Sequence, residues 1–303
     1  MSESVSTHAP SGFTQSVVPV FTVVTLIIIF WYGATVLLNS PWQRDVFSRA
    51  SNTDYTVTDL IRGTLSQEKP VLPSPHQVVQ EVYKTTVQKK ITSKRSLVYH
   101  SGITLSSALL GFVLGTLLGI VLAVAIVYNR ALNKSLMPWI IASQTIPILA
   151  VAPMIIVVLN AIGIQGLLPK AFISMYLSFF PVVVGMVKGL NSPDTSHLDL
   201  MRTYNASAAQ TFWKLRLPSS LPYLFTSMKI AVAISIVGAI VAELPTGAVA
   251  GLGARLLAGS YYGQTIQIWS ALVMASILAA TLVFIVGLLG KFVNKRMGLS
   301  QHA

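Results

Sequence analysis

The chain contains no cysteine, which removes a disulfide framework, a thiolate metal site and a cysteine nucleophile at once. Acidic side chains are nearly as scarce, with nine Asp and Glu against 21 Lys and Arg. Acid–base catalysis draws on well-placed carboxylates, and these are too sparse to suggest a pair. The five histidines, His8, His76, His100, His197 and His302, are scattered without the paired spacing of a metal site. Gly287-Leu288-Leu289-Gly290-Lys291 lacks the G-x4-G-K-[ST] spacing of a phosphate loop and sits at the end of an apolar run. No serine stands in a nucleophile elbow. The sequence therefore predicts no catalytic residue, no metal and no nucleotide chemistry in this chain.

What the chain has in abundance is apolar surface. Of its 303 residues 53% are hydrophobic and 10% charged, and the mean hydropathy is +0.68, which is the composition of an integral membrane protein. The net charge of +12 does not point to nucleic acid, because the basic residues fall in loops between apolar runs and not on one folded face. Six runs approach the roughly 20 apolar residues that a bilayer requires: Val17–Leu38, Ile103–Tyr128, Leu136–Ile162, Gly166–Lys188, Leu221–Leu244 and Ile268–Val293. The first is too long for a signal peptide, follows sixteen residues without Lys or Arg, and precedes no small-residue cleavage site. It reads as a retained anchor. The predicted fold class is an all-α polytopic membrane protein with about six transmembrane helices.

Charge suggests an orientation. Arg130, Lys134, Lys188, Arg202, Lys214, Arg216, Lys291, Lys295 and Arg296 fall on one side, which the positive-inside rule makes cytoplasmic. Both termini are then cytoplasmic and residues 39–102 external, despite nine basic residues in that segment, since long loops cross largely regardless of charge. The organisation expected is a cytoplasmic N-terminus (1–16), a first transmembrane helix (17–38), and an external loop with an amphipathic helix (39–102). A core of five transmembrane helices (103–293) and a cytoplasmic tail (294–303) follow. Within 39–102, Ser40–Lys69 is expected to be a loop. Val78, Val79, Val82, Tyr83 and Val87, after Leu72-Pro73-Ser74-Pro75, have the spacing of an interfacial helix.

Several residues inside the runs stand out. Gly111, Gly115 and Gly119 share one helical face, suited either to dimerisation or to packing within the subunit. Gln144, Thr145, Pro147, Pro153 and Asn160 interrupt the third run, where prolines free carbonyls that a cavity or a neighbour must satisfy. They are candidates to line a translocation path, with Tyr176 and Phe180 of the fourth run adding aromatic surface. Glu243 is the carboxylate nearest a span interior. It either faces that path or caps the end of its helix beside Pro245, Gly247 and Gly251.

The most informative segment is polar and lies between two apolar runs: Asp199-Leu200-Met201-Arg202-Thr203-Tyr204-Asn205-Ala206-Ser207, closed by Leu215-Arg216-Leu217-Pro218. A short helix so placed has no lipid to bury it, and it offers Ala206, Ala209, Phe212 and Trp213 to something outside the chain. The spacing resembles the cytoplasmic loop of permease subunits of bacterial ABC importers, E-A-A, three residues, G, nine residues, I-x-L-P. Asp199 stands at the Glu, Leu200-Met201 at the Ala pair, Asn205 at the Gly, and Leu215, Leu217 and Pro218 at the I-x-L-P. Asn tolerates the left-handed backbone that Gly supplies. Leu72-Pro73-Ser74-Pro75, the set Thr104, Leu105, Gly111, Phe112 and Gly115, the run Phe212–Pro218, and Val241-Ala242-Glu243-Leu244 are similar to permeases for nitrate, taurine, alkanesulfonates and pyrimidine or flavin precursors.

The resemblance implies a type I importer fold in a bacterial inner membrane, with a coupling helix in the loop 189–220. Asp199, Asn205, Ala206, Ser207, Ala209, Phe212, Trp213, Leu215, Leu217 and Pro218 would form the seat for a cytosolic ATPase dimer. ATP and Mg would be bound by that partner. A second permease subunit, identical or a paralogue, and a periplasmic solute-binding protein would complete the assembly. The solute order it suggests is pyrimidine-like or other N-heterocycles, then sulfonates and taurine, then nitrate. An ion-gradient transporter is the alternative, which would call for paired intramembrane charges and inverted repeats.

Overall fold

The computed structural model describes residues 12–50, 55–245 and 249–298. Among them the chain forms α1 (Gly12–Arg49), α2 (Val57–Leu65), α3 (Pro75–Tyr83), a π-helical turn at Lys84–Gln88, α4 (Leu97–Tyr128), α5 (Arg130–Ser143) and α6 (Ile148–Ala161). Then follow α7 (Leu167–Leu190), α8 (Thr195–Thr203), α9 (Ala208–Thr211), a second π-helical turn at Phe212–Arg216, α10 (Leu217–Glu243), α11 (Leu252–Tyr261) and α12 (Thr265–Arg296). Gly247, parts of both terminal segments and residues 51–54 of the expected Ser40–Lys69 loop lie outside the described residues. Five helical stretches are long and apolar enough to cross a membrane, and α5 with α6 would make a sixth.

That sixth is where the structure departs from the expected span Leu136–Ile162. Its two halves are bent by 102°. The break is local: Gln144 and Thr145 close α5 with short-range bonds to Ile141 and Ala142 carbonyls. Pro147, lacking an N–H, begins α6 from an extended backbone at ψ 111°. Hydropathy reports only that both halves are apolar; the direction of the chain is set at the proline.

The described residues fall into two compact units. In the larger, drawn from 84–258 and 271–303, α7 packs closely on α4 and on α10 through small residues. A Cβ on Gly111, Gly115 or Gly119 would fall 2.2 Å from Ser174 Cβ, 2.2 Å from Ser178 Oγ or 2.7 Å from Val182 Cβ of α7. The glycine stripe is therefore consumed inside the subunit. Gly185 and Gly189 do the same against Ser227 and Ser220 of α10, and the Ser174 hydroxyl donates to the Ser235 carbonyl at 2.9 Å. In lipid, such van der Waals contact and hydrogen bonding replace the hydrophobic drive. Phe112, Val182, Met186, Leu190, Leu224 and Val232 form the core.

The smaller unit draws on 1–83 and 259–270 and corrects the expected loop over Ser40–Lys69. There α1 continues as helix to Arg49 and α2 follows at Val57–Leu65. The organiser is buried Asn39. Its amide nitrogen donates to the Thr64 and Leu72 carbonyls at 3.3 and 2.9 Å, and its amide oxygen accepts from Val71 and Leu72 N–H at 2.8 and 3.2 Å. Gln67 donates to the Gln43 side chain at 3.0 Å, and Gln77 donates to the Gln67 carbonyl at 2.8 Å. Thr56 and Asp59 cap α2 reciprocally, which holds the exposed Asp59 carboxyl below its usual range. These are bonds made by polar side chains, mostly to backbone groups and once to another side chain, and they leave no hydrophobic period in the sequence.

Candidate functional site

The segment between α7 and α10 is built as a stiff, doubly capped turn. α8 ends at Tyr204 in a Schellman arrangement: Asn205 N–H donates to the Arg202 carbonyl and Ala206 N–H to the Met201 carbonyl, both at 2.9 Å. Asn205 takes φ +50°, and among the described residues no other non-glycine has a positive φ. The left-handed turn expected at the glycine position of the motif is thus present, made by Asn. Ser207 restarts the chain with a capping box, accepting from Gln210 N–H at 3.2 Å while the Gln210 amide oxygen accepts from Ser207 N–H at 2.9 Å.

The two aromatics divide. Phe212 turns inward, edge-on to Tyr128 of α4 at 5.9 Å and packed on the core cluster, as is Leu217. Trp213 remains 66% exposed. Leu215 and Pro218 are half-buried, while Ser207 and Ala209 are exposed and Ala206 half-exposed. Asp199 pairs with Arg202 at 3.0 Å on the surface. Arg216 ties the end of the segment back to α7, donating to the Leu190 carbonyl at 2.8 Å. Between these anchors lies a depression of ≈ 280 Å³ lined by Leu198, Arg202, Ala206, Thr211 and Arg216, with Tyr128 of α4. The segment is fixed to α4 and α7 at its base and open at its surface.

Of the residues expected along a path, Gln144, Thr145 and Pro147 form the α5–α6 break. Gln144 is half-buried, and Thr145 and Pro147 are exposed. Tyr176 of α7 donates its hydroxyl to the Ser143 carbonyl, which holds the end of α5 beside α7. Phe180 is half-buried against the cluster around Ile126 and Val183. Asn160 lies exposed at the far end of α6. The large apolar side chains Trp139, Ile146, Leu149, Met154 and Val157 of this bent pair are exposed.

Glu243 is fully buried at the end of α10, and its neighbours explain why. Three consecutive backbone donors opening α11 are each captured by a side chain. Gly251 N–H donates to His100 Nδ1 at 2.9 Å, Leu252 N–H to Thr104 Oγ1 at 2.8 Å, and Gly253 N–H to Glu243 Oε2 at 2.8 Å. The Thr104 hydroxyl donates to the Glu243 carboxylate at 2.9 Å. His100 Nε2 lies 2.9 Å from the Lys94 carbonyl, so the tautomer that satisfies both contacts carries its proton on Nε2. The first N–H groups of a helix lack internal partners, and a carboxylate there is favoured by the helix dipole. Gly251, at φ +130°, has no room for a Cβ, which would meet the Glu243 carboxyl carbon at 2.3 Å. Glu243 thus fastens α11 to α4. His100 and Thr104 were invisible in sequence as partners of the α11 start because 151 and 148 residues separate them from Gly251 and Leu252.

The described residues thus combine apolar helices, a broken span and a doubly capped polar segment between two spans. The chain belongs to the family described as binding-protein-dependent transport system inner membrane component, which matches residues 115–299. It is similar to the formylaminopyrimidine transport permease protein ThiX of Halalkalibacterium halodurans, at 33% identity over 60% of this chain and 68% of that one. It is also 33% identical to the riboflavin transport system permease protein RibX of Chloroflexus aurantiacus, over 72% of this chain and 78% of that one. The fold matches a chain of the inward-facing MetNI methionine ABC transporter with TM-score 0.51 at 20% identity, covering 74% of this chain and 97% of that chain.

Proposed function

We propose that this chain is the membrane-spanning permease subunit of an ATP-driven importer, and that a cytosolic ATPase dimer grips the segment Thr195–Leu217. The observation that carries the proposal is the pairing of Asn205 and Phe212. The first fixes a sharp turn that presents Ala206, Ala209 and Trp213 outward; the second roots that turn in the core of α4, α7 and α10. ATP and Mg belong to the partner. Closure of the ATPase dimer draws two such levers together and reorients the helices, provided ATP favours one conformer over the other. A second permease subunit covers the exposed side of α5–α6, so that Gln144, Thr145, Pro147 and Asn160 face a shared path, and an external binding protein supplies the solute. That solute is an N-heterocycle of the pyrimidine or flavin-precursor kind, which the names of two relatives support.

Replacing Ala206 or Ala209 with Glu tests the lever. Well-packed interface positions commonly cost about 2 kcal/mol or more when disrupted, roughly thirtyfold in affinity. The variants should insert normally yet lose uptake and solute-stimulated ATP hydrolysis in the reconstituted complex. A stable variant that transports and stimulates its ATPase normally would rule the lever out. Collapse of uptake by a protonophore at constant ATP would favour gradient-driven transport instead. For the solute, competition of uptake by a substituted pyrimidine, and none by taurine or nitrate, is the expected pattern; the reverse would move the assignment to an anion.

A further inference from the structure

We propose that the basic segment Lys84–Arg95, leading into α4, binds the phosphate headgroups of anionic phospholipids. Between Glu81 and Asp194 the sequence has no acidic residue, so the five cations Lys84, Lys89, Lys90, Lys94 and Arg95 have one acidic neighbour along the chain, Glu81 beside Lys84. Four of the five are exposed and Lys89 is half-buried.

Their position makes no sense as support for α4. Cations at a helix N-terminus oppose its dipole, which favours anions there. The same geometry adds the dipole's positive end to the charges of Lys94 and Arg95, which immediately precede the Ser96 cap, and focuses attraction on an incoming anion. The backbone presenting them is already ordered. Ser93 N–H donates to the Lys90 carbonyl and Ser96 N–H to the Ser93 carbonyl, both at 2.9 Å. His100 Nε2 holds the Lys94 carbonyl at 2.9 Å, and Ser96 caps α4. Binding therefore orders side chains alone, which lowers its entropic cost.

Depth and neighbouring apolar groups select a lipid as the occupant. α4 has 32 residues without a charge, about 48 Å of helix, against a hydrocarbon core of roughly 30 Å. Its first turn therefore stands at headgroup level when the helix spans the bilayer. Beside the cations, Val87 and Ile91 are 64% and 66% exposed. Apolar and cationic side chains intermixed at the end of a span suit a phosphate with an acyl chain beneath it.

The test uses the full-length chain purified from its membrane, followed by native mass spectrometry while phosphatidylglycerol, phosphatidylcholine or inorganic phosphate is titrated in. Each Lys or Arg near an anionic surface contributes roughly fivefold in affinity. Lys94→Gln/Arg95→Gln should therefore weaken phosphatidylglycerol on the order of 25-fold and leave phosphatidylcholine unchanged. Lys94→Arg/Arg95→Lys should bind as the parent does. Val87→Ser/Ile91→Ser should weaken the lipid without altering any response to inorganic phosphate. Undiminished phosphatidylglycerol binding by the double Gln variant, with its thermal unfolding unchanged, overturns the proposal. So does inorganic phosphate binding as tightly as the lipid, which would mark a free-anion site. Capture of an acidic soluble protein that depends on these cations, with lipid binding unaffected by them, would make the segment a protein dock.

Discussion

At position 205 the backbone is left-handed and the residue is Asn, and the proposed coupling through this segment rests on that turn. Asn205→Gly should leave solute-stimulated ATP hydrolysis intact, since Gly adopts φ +50° freely. Asn205→Val should cost about 1–2 kcal/mol of local strain and uncouple hydrolysis from solute, read as basal activity without stimulation. Equal coupling in both variants would show that the turn is not needed. A second single-residue test lies at Thr104, whose hydroxyl both accepts from Leu252 N–H and donates to Glu243. Thr104→Val leaves a buried donor and a buried carboxylate short of a partner, a loss of about 1–3 kcal/mol, whereas Thr104→Ser keeps both bonds. Thermal unfolding of the purified variants in detergent should rank parent and Ser together and Val below. The turn at 205 was readable in the sequence because Asn is tolerated where Gly is expected. The bond from Thr104 to Glu243 was not, because a hydrogen bond spanning 139 residues leaves no local pattern.

Helices show the same division between what spacing reveals and what it hides. Three glycines four apart on α4 announce close approach, yet spacing alone is silent on whether the partner is a neighbour in the same subunit or a second copy. For Gly115 that is settled by Ser178, whose Oγ would lie 2.2 Å from any Cβ added there. Gly115→Val should therefore lower the stability of the isolated subunit by about 1–3 kcal/mol through overpacking, seen as reduced Tm and abundance. A variant of normal stability that merely fails to pair with a second subunit would contradict the intramolecular role. In α5–α6, Pro147 and Gln144 drew notice as interruptions, but apolar composition on both sides of them made the span look continuous. For α1, the polar stretch Ser40–Arg49 resembled a loop because its helix is held by Asn39 and Gln43 and not by an apolar stripe.

Across the molecule, the absence of cysteine makes orientation directly testable. Ser66 and Ser196 are both exposed, so a Cys at either can be labelled wherever solvent reaches it. With residues 39–102 external, Ser66→Cys should react with an impermeant thiol reagent in intact cells and Ser196→Cys only after lysis. Labelling of Ser196→Cys alone would invert the topology. The smaller unit carries a consequence of a different kind, in the order of synthesis. Trp31 packs against Trp269, tilted by 43° at 4.9 Å between centroids, and Thr265 donates its hydroxyl to the Pro70 carbonyl across 195 residues of chain. At about 5–20 residues per second, those residues take roughly 10–40 s to translate. During that interval Trp31 has no indole to pack against, so a truncated product carries an unfinished first unit. Membrane proteases that sample exposed aromatic surface would meet every incomplete chain in that state, and the last-made helix would release only finished ones.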